Sequence, residues 1–246
     1  LGLRNLSVID RALKLIEKEL GGIHISSDIG CHTFSTLQPF NLGNTVLGYG
    51  LSLAAASAMG PNFGKRIITV MGDGGFWHQG LVTGITNAIF RNDDGVLVIM
   101  KNGYTSATGT QNIPSSPDLS AREGRGISIE STPRGLGVKW LERVPNYQVS
   151  EVADALRRAM TTEEKGLKII IADGECMLER TRRERPVKAQ QLAAGERVVR
   201  TRFGIDDDVC TGDRACIRLS GCPSLTIKDS PDPLRTEPVT TINSGC

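Results

Sequence analysis

The stretch Arg66-Ile-Ile-Thr-Val-Met-Gly-Asp-Gly-Gly75, answered downstream by Val96-Leu-Val-Ile-Met-Lys-Asn102, decides the fold of this chain. Arg66 to Met71 has the length and branched apolar content of a buried strand, and Val96 to Met100 reads as the next. Gln79 to Phe90, between them, has the length and composition of a helix. Strand, acidic turn, helix, strand, amide turn is a βαβ unit, which brings Asp73 and Asn102 to the same sheet edge. A carboxylate and an amide oxygen so placed are the hard ligands an octahedral magnesium ion needs to bridge a diphosphate. Gly72 and Gly74, with Gly75 beside them, let the backbone approach phosphate oxygens without Cβ clashes. The following helix N-terminus adds N–H groups. Alone, Gly-Asp-Gly-Gly is an ordinary tight turn. A second ligand at the end of the next strand lifts it above that.

Working outward, Ser7 to Leu20 carries apolar residues at helical spacing, with Ser7 as N-cap and Gly21-Gly22 as the stop. Ile23 to Ser26 is a short strand, and Asp28-Ile-Gly-Cys-His32 leaves its end. Leu42 to Met59 is small and apolar, suiting a closely packed helix. Ser150-Glu151 opens another helix running to about Met160, and Leu167 to Ile171 is the last good strand. The expected class is α/β, a mostly parallel sheet with helices on both faces, over residues 1–178. Gly30, Cys31 and His32 fall at the same edge as Asp73, so they line the pocket; the plain alternative for Cys31 is a buried turn cysteine. His78 and His32 are the candidate proton carriers, set against hydrogen-bonded structural histidines. Thr105, Ser106 and Thr108 follow Asn102 with hydroxyls in reach of phosphate or substrate. Cys176 reads as a small packing residue.

The 246 residues are 39% hydrophobic and only 4% aromatic, enough for one α/β core with an appendage. A net charge of +2 gives no reason to invoke nucleic acid. No apolar run approaches the roughly 20 residues of a membrane span, and a cytoplasmic location is expected. Leu1 is not a start methionine, and the chain reads as an internal piece of a longer polypeptide. From 179 to 206 arginines crowd a stretch with little apolar periodicity, which reads as a basic linker or strap. The usual meaning of such a run is a solvated face; docking of an acidic partner such as ferredoxin is the sharper alternative. Residues 207–246 carry Cys210, Cys216, Cys222 followed by Pro223, and Cys246. Thiolates concentrated in a short loop-rich segment suit an iron–sulfur cluster. A disulfide or zinc module is the alternative, although neither C-x₂-C nor a nearby histidine supports zinc.

The Gly72-Asp73-Gly74 to Asn102 spacing resembles the Mg²⁺–thiamine diphosphate motif. Four further stretches extend the likeness: Asp28-Ile-Gly-Cys-His-Thr-Phe34, Asn44-Thr-Val-Leu-Gly-Tyr-Gly-Leu51, Gly72 to Gly80 and Lys101 to Gln111. With Cys210 to Pro223, they make the chain similar to the carboxy-terminal part of indolepyruvate ferredoxin oxidoreductase α-type subunits, within the 2-oxoacid:ferredoxin oxidoreductases. The resemblance implies that Asp73, Asn102 and the backbone carbonyl of Tyr104 hold Mg²⁺. It implies that the Gly30-Cys31 turn and Thr105 approach thiamine diphosphate. The implied activity is oxidative decarboxylation of a 2-oxoacid, with the acyl group passed to coenzyme A and electrons passed through 4Fe–4S clusters to ferredoxin. Cys210 and Cys216 would serve one cluster, Cys222 and Cys246 the other. Residues 207–246 resemble a truncated ferredoxin-like segment, whose motif is C-x₂-C-x₂-C-x₃-C-P, but Asp213 occupies its second cysteine position and the last interval is longer; Lys101 also precedes Asn102, where such enzymes commonly have Asp or Asn. A glutamate from a pyrimidine-binding domain activates the cofactor in such enzymes, and no such domain is legible here. An upstream domain or second subunit, and an oligomer, are therefore expected. A non-oxidative decarboxylase or acetolactate synthase-like enzyme shares the Asp73–Asn102 site but leaves the terminal cysteines unexplained. A non-catalytic electron-transfer or scaffolding subunit would have lost its ligands, against which intact Asp73 and Asn102 argue.

Overall fold

The computed structural model describes residues 3–38, 40–117, 126–199, 203–220, 222 and 224–243. Its core is a sheet of six parallel strands in the order β2-β1-β3-β4-β8-β7. These are β1 (Ile25–Ser27), β2 (Thr45–Val46), β3 (Ile68–Gly72), β4 (Val96–Lys101), β7 (Trp140–Pro145) and β8 (Lys168–Asp173). Two short hairpins complete the strands: β5 (Tyr104–Thr105) with β6 (Gln111–Asn112), and β9 (Leu225–Lys228) with β10 (Val239–Ile242). Because side chains alternate along a strand, β4 feeds two cores. Val96, Val98 and Met100 join a layer with Ile9, Leu13 and Ile16 of helix α1 (Leu3–Leu20) and Val152 and Leu156 of the helix Val149–Thr161. Leu97 and Ile99 join Leu53 of helix α2 (Ser52–Met59) and Phe76 and Ile85 beyond β3 on the other face. Near-continuous apolar strands are the signature of a sheet covered on both sides, as the sequence pattern predicts.

Several boundaries move. The first helix begins at Leu3, so Ser7 lies inside it and is not an N-cap. The helix expected from Gln79 begins at Asp73. It runs on as a π-helix over Phe76–Thr86 and ends as Asn87–Phe90; this whole unit is α3. Packing against the sheet edge overrides the poor helix propensity of Gly74 and Gly75. Leu42 to Met59 is helical only from Ser52, because Gly43 (φ 103°) and Gly50 (φ 79°) hold left-handed backbone that a helix excludes. Of the basic stretch expected as a linker or strap over 179–206, the part up to Ala193 lies in a helix, Met177–Ala193, with no buried residue and Pro186 inside it. Long charged side chains are good helix formers even without a core to face.

The chain divides into two compact units, Leu1–Arg182 and Arg183–Cys246. The second holds a six-residue helix, Ala215–Ser220, and the β9–β10 hairpin. Among the described residues no helix is long and apolar enough to cross a membrane.

Candidate active site at the carboxyl edge of the sheet

The residues that follow β1, β3, β4 and β8 all emerge at one edge, the edge where open α/β sheets bind ligands. Asp73 is buried there at the first position of α3. Its Oδ2 accepts the N–H groups of Asn102 (2.8 Å) and Gly103 (2.6 Å), and its Oδ1 that of Gly74 (3.0 Å). One side chain thereby pins the turn after β4 to the turn after β3. Burial pushes its pKa up to about 6, against the pull of these backbone donors. Asn102 Oδ1 accepts from Tyr104 N–H (3.1 Å) and Ser106 Oγ–H (2.9 Å). Lys101 does not leave a free charge beside them: it pairs with Asp173 (3.2 Å) and Glu130 (3.7 Å).

Gly30, Cys31 and His32 lie on the short helix Cys31–Thr36 and the turn before it. His32 is buried, and burial drives its pKa down to about 4, so the ring is neutral. Its Nε2 has no hydrogen-bond partner. A Cβ on Gly30 would lie 2.8 Å from its Cε1, and one on Gly72 3.8 Å. His32 therefore fills the gap between the two glycine turns. Burial raises the Cys31 thiol, with a smaller contribution from nearby Cys176. His78 is exposed and packs its ring on Tyr49, centroids 4.9 Å apart.

Two residues to which the sequence reading gave no role, Asp28 and Tyr49, belong to this edge, together with Ser106. Asp28 is fully buried; its carboxylate accepts from Ile29 N–H (2.8 Å) and, with both oxygens, from Gly50 N–H (2.7 and 2.9 Å). Burial raises its pKa to about 6, against the pull of the backbone N–H groups of Ile29, Gly50 and Leu51. Tyr49 brings its hydroxyl to 3.4 Å from Thr105 Oγ1. Ser106 orients Asn102. The Asp-Ile-Gly step after a short strand was the available signal for Asp28; for Tyr49 it was the flanking glycines.

The donor set fits a hard cation. Asp73 and Asn102 offer only oxygen, Asp73 Oδ1 retains acceptor capacity beyond Gly74 N–H, and a Cβ on Gly74 would collide with Tyr49 Oη, so the turn is open only to a bare backbone. The cysteines are different. Cys210 Sγ accepts from Thr240 N–H (3.5 Å) and Cys216 Sγ donates to Thr240 Oγ1 (3.5 Å). Backbone N–H groups, from Thr240 and Gly212, lower the Cys210 thiol. Yet among the described residues no three His, Cys, Asp or Glu side chains converge as a metal site. Pro223 and Cys246, the rest of the expected cluster motif, lie outside the described residues. A cleft of about 680 Å³ opens at the opposite edge, around Leu53, Ile67 and Leu167, and contains none of these groups.

A parallel sheet with a buried acidic turn, answered by an amide turn on the next strand, defines a thiamine diphosphate-binding domain. Residues 28–172 match the thiamine pyrophosphate enzyme, C-terminal TPP binding domain, and the chain belongs to that family. It is 30% identical over 215 residues to the indolepyruvate oxidoreductase subunit IorA of Archaeoglobus fulgidus, covering 87% of this chain and 32% of that protein. The IorA subunits of Pyrococcus horikoshii (28% identical, 81% and 31% covered) and Methanothermobacter marburgensis (29%, 82% and 30%) are also similar. The chain thus spans about a third of the length of these relatives. Among solved structures, the 2-oxoglutarate:ferredoxin oxidoreductase of Magnetococcus marinus superposes with a TM-score of 0.58 at 19% identity, covering 70% of this chain and 62% of that one. That likeness supports the parallel α/β fold.

Proposed function

We propose that the chain is the diphosphate- and magnesium-anchoring part of a thiamine diphosphate-dependent 2-oxoacid:ferredoxin oxidoreductase acting on an arylpyruvate such as indolepyruvate. The observation that carries this reading is the buried Asp73 carboxylate clamped onto the Asn102–Gly103 backbone across two adjacent parallel strands. Asp73, Asn102 and the carbonyl of Tyr104 hold Mg²⁺. Gly30, Cys31, His32, Gly72, Gly74, Gly75 and Thr105 line the cofactor. Thiamine diphosphate supplies the electron sink that lets carbon dioxide leave a 2-oxoacid.

The chain's own residues bind and orient. His32, buried and neutral, offers Nε2 as a hydrogen-bonding group and carries no proton as an acid at neutral pH. His78, exposed beside Asp28, is the residue assigned to exchange a proton with substrate through a ring nitrogen. Coenzyme A takes the acyl group and ferredoxin the electrons. The activating glutamate comes from an upstream domain or a second subunit, in an oligomeric cytoplasmic enzyme. Cys210, Cys216, Cys222 and Cys246 are the sequence's provision for iron–sulfur ligation. Cluster assembly is assigned to the complete protein.

The test is anaerobic expression of the complete polypeptide with thiamine diphosphate, Mg²⁺ and coenzyme A, following viologen reduction as indolepyruvate, phenylpyruvate and branched 2-oxoacids are added in turn. Reduction with an arylpyruvate is expected. Carbon dioxide release without dye reduction would replace this reading with a non-oxidative decarboxylase.

A further inference from the structure

Tyr49 follows β2 between Gly48 and Gly50 and is half-buried at the carboxyl edge. Its hydroxyl and that of Thr105 converge on one point. A Cβ built on Gly74 would collide with Tyr49 Oη and lie 2.6 Å from Thr105 Oγ1. The two hydroxyls therefore stand directly over the bare backbone of the turn that carries Asp73. They are 3.4 Å from each other, a long hydrogen bond in which either can be the donor. At most one O–H is used between them, so at least one is left to donate to a third group.

The loop carrying Tyr49 is fixed. Gly50 N–H is held by both oxygens of Asp28, and Gly50 adopts φ 79°, where a Cβ would strike Gly75 O at 2.8 Å. On its other side the Tyr49 ring packs against His78 at 4.9 Å with a 48° tilt. Burial raises the phenol's pKa, against the pull of the hydrogen bond with Thr105 and with a further push from the carboxylates of Asp28 and Asp73, so the hydroxyl remains protonated at neutral pH. An anion entering beside two buried carboxylates needs donors that bring no further negative charge, and two hydroxyls supply them.

We propose that Tyr49, together with Thr105, is a diphosphate ligand, its hydroxyl donating to a phosphate oxygen seated over Gly74 while its ring holds His78 beside the same site. This rests on the reading of Asp73 and Asn102 as the diphosphate anchor. The experiment is calorimetric titration of the protein with inorganic diphosphate and with thiamine diphosphate, each with Mg²⁺, for wild type, Tyr49→Phe and Thr105→Val. Tyr49→Phe keeps the ring and loses only the donor. Both variants are expected to bind both ligands about ten-fold more weakly, the order expected for one hydrogen bond to a charged group. Affinity unchanged in Tyr49→Phe would overturn Tyr49 as a ligand and leave the anchor standing. Wild type that binds neither ligand in the presence of Mg²⁺ would overturn the anchor, and the assignment of Tyr49 with it.

Discussion

At the scale of single residues, the site is two buried carboxylates on neighbouring strands, Asp28 after β1 and Asp73 after β3, each with a pKa pushed up to about 6. Raising an aspartate from 3.8 to about 6 costs about 3 kcal/mol of stability once it is ionised. Well below pH 3.8 Asp28 is protonated in the folded and the unfolded chain alike, and costs nothing. As the pH rises the unfolded chain ionises first, so this part of the stability is lost between about pH 4 and pH 6. Asp28→Asn keeps an acceptor for Gly50 N–H and removes the ionisation. The difference in unfolding free energy between variant and wild type should therefore shift by about 2 kcal/mol in favour of the variant from pH 4 to pH 7. Urea denaturation at the two pH values measures it, and an identical pH slope for both proteins would refute the assignment. Asp73 and Asn102 were legible in the sequence because each ends a strand that local pattern alone identifies. Asp28 was not, because its partner Gly50 lies across a loop of irregular backbone with no period to read.

At the scale of elements, the site depends on how closely α3 approaches β1 and β3. A Cβ on Gly75 would collide with Asp28 Oδ2, one on Gly80 would collide with Met71 Sδ, and one on Gly84 would lie 3.2 Å from Leu53 Cβ. These glycines weaken the helix intrinsically yet permit the contact. Gly75→Ala should cost about 1–3 kcal/mol, as overpacking does. Gly135→Ala, at an exposed helical position with nothing within 4 Å of the new Cβ, should be neutral or stabilising by up to about 1 kcal/mol. Denaturation midpoints of the two variants compare them directly; equal effects would mean that close packing is not what selects Gly75. The central strands β3, β4 and β8 were legible because they are continuously apolar. The edge strands β2 and β7 were not: β2 has two residues, and β7 is mostly half-exposed, with charges at Glu142 and Arg143 and a terminal proline. The early start of α3 escaped notice because glycine pairs signal a turn locally, and only the tertiary contact with Asp28 makes them helical.

At the scale of the whole molecule, the α/β character was legible from the alternation of elements, whereas the division of the chain was blurred by the basic stretch. Arginine-rich sequence reads as a solvated strap, and the helix Met177–Ala193 satisfies that reading chemically while giving it a regular backbone. The boundary between the two compact units falls inside this helix, after Arg182. Arg182 itself belongs to the first unit, where its guanidinium donates to Gly109 O (2.9 Å) and Thr110 Oγ1 (2.8 Å) in the loop that joins β5 to β6. The family match, the six-stranded sheet and every residue of the proposed diphosphate site lie within Leu1–Arg182. No residue of the helix Met177–Ala193 is buried, so ending the chain after Arg182 uncovers no apolar core there. A protein of residues 1–182 should therefore unfold cooperatively and bind diphosphate with Mg²⁺ within about two-fold of the full chain's affinity, a difference of about 0.4 kcal/mol. Side-by-side calorimetric titration and thermal melting decide it. Loss of binding with a preserved melt would show that the second unit contributes directly to the site, and loss of the melt itself would show that the sheet needs the second unit to fold.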